Sequence, residues 1–356
     1  MFKLFKKKML FILVIVLSLF VISGCEVQDQ SVSEVSGQAG ESSGKLAVHF
    51  IDVGQGDSSL IIFPSGETSL IDGGGRDASS KVVSYLKSQG IEKIDYIIAT
   101  HPHEDHIGGL PEVVRNFEIG KVYMPRRTAN TKIFEELLSV IKDKGLKISV
   151  ASGEQSILES DGTLFSILGP LSDSYEGTNN HSVVNKLSHG KVSVLFTGDI
   201  ESLAESDLVK QGYDLKADVL KVPHHGSSSS SSDVFLDAVN PSYGVIQLGA
   251  DNSYGHPHRE TIQKYGARNI ELLRNDISGD IKLETDGETV RFYSTDSQES
   301  SQGESQNKSR IIGNRNSKVY HIEDCSGLPN EENRVYFDSI EKAEQSGFRP
   351  DSRCIR

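Results

Sequence analysis

The sequence predicts a mixed α/β body, and two features of its patterning carry that expectation. Short apolar segments of strand length alternate with stretches whose apolar residues recur at helical spacing. Three strand-like segments, beginning at Ile94, Val192 and Asp218, run straight into polar residues of the metal-binding type, and strand-end loops are where α/β folds place their sites. At 356 residues, 36% hydrophobic and 24% charged, the chain can build a proper core and is composed like a globular body rather than a membrane bundle.

The elements follow in order. Leu46 to Val53 and Ser58 to Phe63 read as strands, and Thr68 to Asp72 as a third that ends in Gly73-Gly74-Gly75. Val82, Val83 and Leu86 give a helical face that stops at Gly90. Ile94 to Thr100 reads as a buried strand. Ile133, Leu137, Leu138 and Ile141 mark a further helix, which stops at Gly145. Later strands are Leu164 to Leu168, Val192 to Thr197, Asp218 to Val222 and Tyr243 to Leu248.

Residues 1–24 differ from everything after them. Lys3, Lys6, Lys7 and Lys8 precede an apolar run from Met9 to Ile22, broken only by Ser18. The run falls short of the roughly 20 residues a bilayer span needs and suits a signal-peptide core, with an uncleaved N-terminal anchor as the other reading. Ile22-Ser23-Gly24-Cys25 resembles a bacterial lipobox, in which the cysteine is lipidated. The expected location is therefore extracytoplasmic, with Cys25 holding the protein to the bacterial cell membrane. Residues 25–45 are a Ser-, Gln-, Glu- and Gly-rich tether, and residues 294–309 a similar linker. They delimit a body at 46–293 and a C-terminal piece at 310–356. The net charge of -13 argues against non-specific clinging to nucleic acid, which relies on Lys and Arg. It leaves open a hydrolase whose metal ions hold the substrate phosphates.

His101-Pro102-His103-Glu104-Asp105-His106 is the strongest chemical signal. Three imidazoles and two carboxylates within six residues are costly to pack unless a cation binds them. Alternate spacing points His101 and His103 one way, while a turn brings Asp105 and His106 to a second ion.

This pattern, followed by Ile107-Gly108-Gly109, resembles the H-x-H-x-D-H signature of the metallo-β-lactamase superfamily. Within that superfamily the likeness is to the hydrolase domain of ComEC-type competence proteins. Val53-Gly54-Gln55-Gly56-Asp57-Ser58, Asn179-Asn180-His181-Ser182-Val183, Phe196-Thr197-Gly198-Asp199, Val219 through Ser227, and Asn252 through His258 match its motifs in order. The resemblance implies an αββα sandwich and a stand-alone lipoprotein relative. It implies one or two divalent ions, zinc or manganese, with Asp199 bridging and His225 as the late histidine ligand beside His224. Asp72 would orient the ligand loop. His181 is the one candidate for a ligand between Asp105 and Asp199, and its role stays open. Ions so held activate water for attack on a phosphoryl or carbonyl centre. Asp105, a ligand, counts also as catalytic, together with His256 and His258, which would protonate a leaving oxygen or grip a phosphate.

The C-terminal piece resembles the small zinc module of the Ada DNA-repair protein. Four cysteines bind zinc there, whereas here His321 and Asp351 join Cys325 and Cys354 in the same spacing. A Cys325–Cys354 disulfide is the competing reading, since so small a piece needs a staple. The whole implies an exported, metal-dependent phosphodiesterase or nuclease acting on DNA. A lactonase or β-lactamase-like hydrolase, or a non-catalytic DNA-binding lipoprotein, are the alternatives.

Overall fold

The computed structural model describes residues 45–250, 252–295, 311–322, 327–330, 333–337 and 340–351. The expected leader, nearly all of the tether and linker, and Cys25, Cys325 and Cys354 lie outside these residues. Among the described residues, no helix is long and apolar enough to cross a membrane.

Two sheets form the body. Strands β1 (Leu46–Phe50), β2 (Ser59–Ile62), β3 (Thr68–Ile71), β4 (Lys93–Ile98), β5 (Glu118–Met124) and β6 (Ile148–Val150) lie side by side in chain order. The chain then builds a second sheet from β7 (Gln155–Ser160), β8 (Thr163–Gly169), β9 (Val184–His189), β10 (Val192–Phe196), β11 (Val219–Lys221), β12 (Tyr243–Ile246) and β13 (Glu271–Arg274), again with sequence neighbours adjacent. It returns to the first sheet with β14 (Ile281–Thr285) and β15 (Val290–Ser294), which extend the β1 edge.

Period-two alternation along each strand separates the layers. On β4, Tyr96 and Ile98 enter the core between the sheets, while Ile97 packs outward against α1 (Ser79–Ser88) and α3 (Leu110–Asn116), which flank the short α2 (Glu104–Ile107). The helix α4 (Lys132–Asp143) covers the same outer face through Ile133, Phe134 and Leu137. On β10, Val194 and Phe196 point inward and Leu195 outward, to α5 (Ser202–Gln211), α6 (Asp233–Val239) and α7 (Arg259–Ala267). The result is helices, sheet, sheet, helices: the expected αββα sandwich. Strands β3 to β6 run parallel, as do β10 to β13, so their carboxyl ends gather at one rim.

At the C-terminus, β16 (Ile311–Asn314), β17 (Val319–Ile322), β18 (Arg334–Phe337) and β19 (Arg349–Pro350) make a separate four-stranded sheet in the order β18-β16-β17-β19. Ile311, Tyr320, Ala343 and Phe348 form its small core.

One buried group on β1 makes the fold sensitive to acid. His49 is 1% exposed, and its Nδ1 lies 2.9 Å from the Tyr85 hydroxyl. Burial, reinforced by the Lys282 ammonium, pushes its imidazole down to about 4. A histidine lowered in the fold is neutral there but takes up a proton when unfolded. The stability it contributes is therefore complete above pH 6.5 and is lost as pH falls towards 4, by about 3 kcal/mol in all. Urea unfolding between pH 7 and 4 should show that loss in the wild type and a flatter profile in His49→Gln.

Candidate metal centre

The ligand loop is set by Asp72, at the end of β3. Its backbone takes the left-handed conformation, φ 59°, which Asp tolerates better than most residues. The buried carboxylate then accepts three hydrogen bonds: from Thr100 N at 2.8 Å, from the Thr100 hydroxyl at 2.6 Å and from His106 Nδ1 at 2.8 Å. Gly56 lets the Gln55-Gly56-Asp57 turn lie against the same loop. A Cβ there would stand 2.2 Å from the Asp105 carbonyl oxygen, at a φ of +139° that disfavours side chains.

The hydrogen-bond partners assign the imidazole tautomers. His106 Nδ1 donates to the Asp72 carboxylate, and His225 Nδ1 donates to the Gln247 carbonyl oxygen at 2.8 Å. His101 Nδ1 lies 3.1 Å from both the Thr100 and the Ser182 hydroxyls, which hold the ring in place. His106 and His225 thus leave Nε2 for the centre, while His101 Nε2 is shared between the centre and His103 Nδ1, 2.9 Å away. Asp199 Oδ2 is the hub, 3.2 Å from His106 Nε2, 3.4 Å from His225 Nε2 and 3.9 Å from His101 Nε2. Asp105 Oδ2 adds a contact of 3.4 Å to His225 Nε2.

These separations test whether the residues fit a metal. Donors about 2.0–2.2 Å from one tetrahedral ion stand roughly 3.4 Å apart, as the closest pairs here do. Among the described residues, His106 Nε2, His225 Nε2 and Asp199 Oδ1 are buried and lack a hydrogen-bond partner, an arrangement a bound cation would complete. Nitrogen lone pairs facing a carboxylate oxygen need either a proton or a metal between them. Without a metal the proton wins: although burial opposes it, Asp199, Asp105 and Asp72 raise His106 well above the ordinary histidine value. Conversely, burial would raise Asp199, but His106 and His225 hold its carboxyl well below the usual carboxylate range. The donor set fits a divalent ion, which would displace those protons.

The groupings of donor atoms comprise His101, His106 and Asp199; Asp105, His106 and His225; and Asp57, Asp199 and His225; Asp57 and Asp72 also meet at His106. His103 and His224 stand at the rim instead. His103 Nδ1 lies 2.9 Å from His101 Nε2, and His224 Nε2 lies 3.9 Å from Asp199 Oδ2. Both His224 and His225 have left-handed backbone, φ 51° and 52°, strain typical of a functional turn. That turn puts His225 inside and leaves the His224 side chain 21% exposed.

His181 is not brought into these groupings. Its ring meets Tyr175 edge-on at 5.7 Å, and its Nε2 is 3.3 Å from the Asp173 carbonyl oxygen. Its neighbour Ser182 reaches the site in its place: Ser182 Oγ accepts from Asp199 N at 3.0 Å and lies 3.1 Å from His101 Nδ1. The short 3-10 turn at Asn179–His181 explains the exchange, because it carries His181 away as it delivers Ser182. His256 lines the cleft above the centre, a space of about 350 Å³. Burial and the neighbouring His225, His224 and His258 rings lower His256 to about 4. His258 stands behind it, its Nδ1 accepting from Ser228 N at 2.9 Å. In the C-terminal sheet, His321 Nδ1 and Asp351 Oδ2 meet at 3.2 Å, both buried.

Two further side chains, neither given a role from the sequence, support the centre. Lys221, 2% exposed on its side chain, pairs with Asp57 Oδ2 beneath the centre. Gln247 is pinned by Ser59, Ile51 and Ser58 and so fixes the carbonyl that orients His225. A lysine inside the apolar run Val219-Leu220-Lys221-Val222 was the available signal, since buried lysines need partners.

Asp72→Asn keeps the backbone conformation but turns an amide nitrogen towards His106 Nδ1 or Thr100. Metal titration of the dialysed protein should show affinity weakened by about 10–100-fold, and urea unfolding of the metal-free form should show a loss of about 1–3 kcal/mol from the buried donor left unsatisfied.

Residues 51–250 match the Metallo-beta-lactamase superfamily, and residues 299–355 match the Metal binding domain of Ada. ComE operon protein 3 of Bacillus subtilis (strain 168) is 30% identical over 253 residues, 66% of this chain and 32% of its own length. Competence protein ComA of Neisseria gonorrhoeae is 30% identical over 240 residues, 67% of this chain and 32% of its own. The chain thus spans about a third of the length of these curated relatives. Among solved structures, Tm1679, a metal-dependent hydrolase of the beta-lactamase superfamily, aligns with a TM-score of 0.43 and 12% identity over 64% of this chain and 95% of that one.

Proposed function

The chain belongs to the Metallo-beta-lactamase superfamily, and from that premise we propose that it is a metal-dependent phosphodiesterase that cleaves DNA outside the cytoplasm, anchored through lipid on Cys25. The observation that carries the reading is the convergence of His106 Nε2 and His225 Nε2 on Asp199, beneath a cleft that Asp199, His225 and His256 line. The likeness to proteins named for competence supports DNA as the substrate.

His101, Asp105, His106, Asp199 and His225 are the residues proposed to hold the metal. A divalent ion in this donor set supplies Lewis-acid activation of water and neutralises charge on the attacked phosphoryl group. The chain's own residues prepare the site. Asp72 and Gln247 lock His106 and His225 with Nε2 facing the centre, and Thr100 holds the His101 ring beside them. Ser182 fixes the backbone of Asp199. His256, largely neutral near pH 7 given its lowered value, offers a hydrogen bond to a phosphate oxygen rather than a positive charge.

The test uses purified protein supplied with Mn²⁺ or Zn²⁺ and offered single-stranded DNA, bis-p-nitrophenyl phosphate and nitrocefin. Metal-dependent phosphodiester cleavage is expected. Hydrolysis of nitrocefin with no phosphodiester turnover would overturn the proposal.

A further inference from the structure

Three aromatic rings lead from the metal centre to solvent. His225, 1% exposed, stacks on His256 with ring centroids 6.1 Å apart and planes 30° from parallel. His256 in turn stacks on Tyr254 at 5.6 Å and 18°. Tyr254 lines the same cleft, yet it is 63% exposed. One face of its ring is therefore supported and the other is open.

The loop that carries the outer two rings is held firmly. Asn252 Oδ1 accepts from His256 N at 2.9 Å, while its Nδ2 donates to the carbonyl oxygens of His256 and Gly249 at 2.8 and 2.9 Å. Gly255, with φ +74°, makes the tight turn between the two rings. A large aromatic ring fixed in place and left open at the mouth of a catalytic cleft is the form of a stacking platform.

We propose that Tyr254 is a nucleobase-binding subsite, stacking the base of a nucleotide that flanks the cleaved phosphodiester. The assignment rests on the phosphodiesterase reading above and adds what that reading lacks, a contact with the base. Every base presents a π face, so the platform grips single strands without choosing their sequence. Double-stranded DNA, with its bases stacked on one another, is the poorer ligand. Because the contact already exists in the bound substrate, it should act on KM and leave kcat nearly unchanged.

The test compares a single-stranded oligonucleotide with a chain of abasic tetrahydrofuran units, which keeps the phosphodiesters and lacks the bases. With Mn²⁺ present, the wild type should have a KM about 5- to 100-fold lower for the DNA. Tyr254→Ala should lose that preference while cleaving the abasic chain like the wild type, and Tyr254→Phe should retain it. With Ca²⁺ in place of Mn²⁺ to hold the phosphates, the wild type should quench 2-aminopurine fluorescence in a single-stranded oligonucleotide, and Tyr254→Ala should not. If the wild type cleaves neither chain, the phosphodiesterase reading falls and this inference with it. If it cleaves DNA and Tyr254→Ala keeps the wild-type preference and quenching, the inference alone is overturned.

Discussion

Asp199→Asn is expected to strip the protein of its divalent metal on dialysis and to lower phosphodiester turnover by at least 10²–10³-fold, the order seen when one preorganised active-site group is lost. Asp199 Oδ2 is within 3.9 Å of four imidazole nitrogens, from His101, His106, His224 and His225, so it is the common point of the donor set. The amide keeps the shape of the side chain but not its charge or its second oxygen. It also withdraws the leading coulombic support for protons on His106 and His225. The loop itself should stay in place, because the backbone N–H of residue 199 still reaches Ser182 Oγ. Elemental analysis of dialysed protein and turnover of bis-p-nitrophenyl phosphate check this together. Wild-type metal content with turnover within tenfold of wild type would refute the hub role.

Much of this centre could be read from the chain because its residues sit at the ends of strands with plain apolar signatures. Ile94 to Thr100 and Val192 to Thr197 were legible for that reason, and each delivers its polar residues where the pattern stops. β5 and β9 were not. In β5, Gly120 and Lys121 interrupt the apolar alternation, and both strands draw part of their stability from pairing that a local pattern does not reveal. The placement of His181 was hidden for another reason. Its residue type is that of a ligand, but a 3-10 turn decides which of two adjacent side chains faces the centre. Gln247 was illegible altogether: its role is to hold a backbone carbonyl in position, and no sequence pattern marks that.

Lys221→Met should lower stability by about 3–5 kcal/mol, the cost of leaving one member of a buried ion pair alone. Lys221 Nζ is paired with Asp57 Oδ2, donates to the Gly198 carbonyl oxygen at 3.3 Å and stands 4.0 Å from Asp199 Oδ1. Burial would raise the Asp57 carboxyl, and it is Lys221, then His225, that keeps it below its ordinary value. Methionine fills the volume but leaves two carboxylates facing each other with only imidazoles for compensation. The loss should appear as a lower urea midpoint at unchanged slope. Removing the second charge as well, in Lys221→Met/Asp57→Asn, should recover most of it, because a matched pair of neutral groups has no charge left to desolvate. Mn²⁺ should stabilise Lys221→Met more than the wild type, since a cation bound only by the folded state substitutes for the missing ammonium. If the losses of Lys221→Met and of Asp57→Asn alone simply add in the double variant, the lysine and the aspartate do not compensate each other, and Lys221 is present for packing alone.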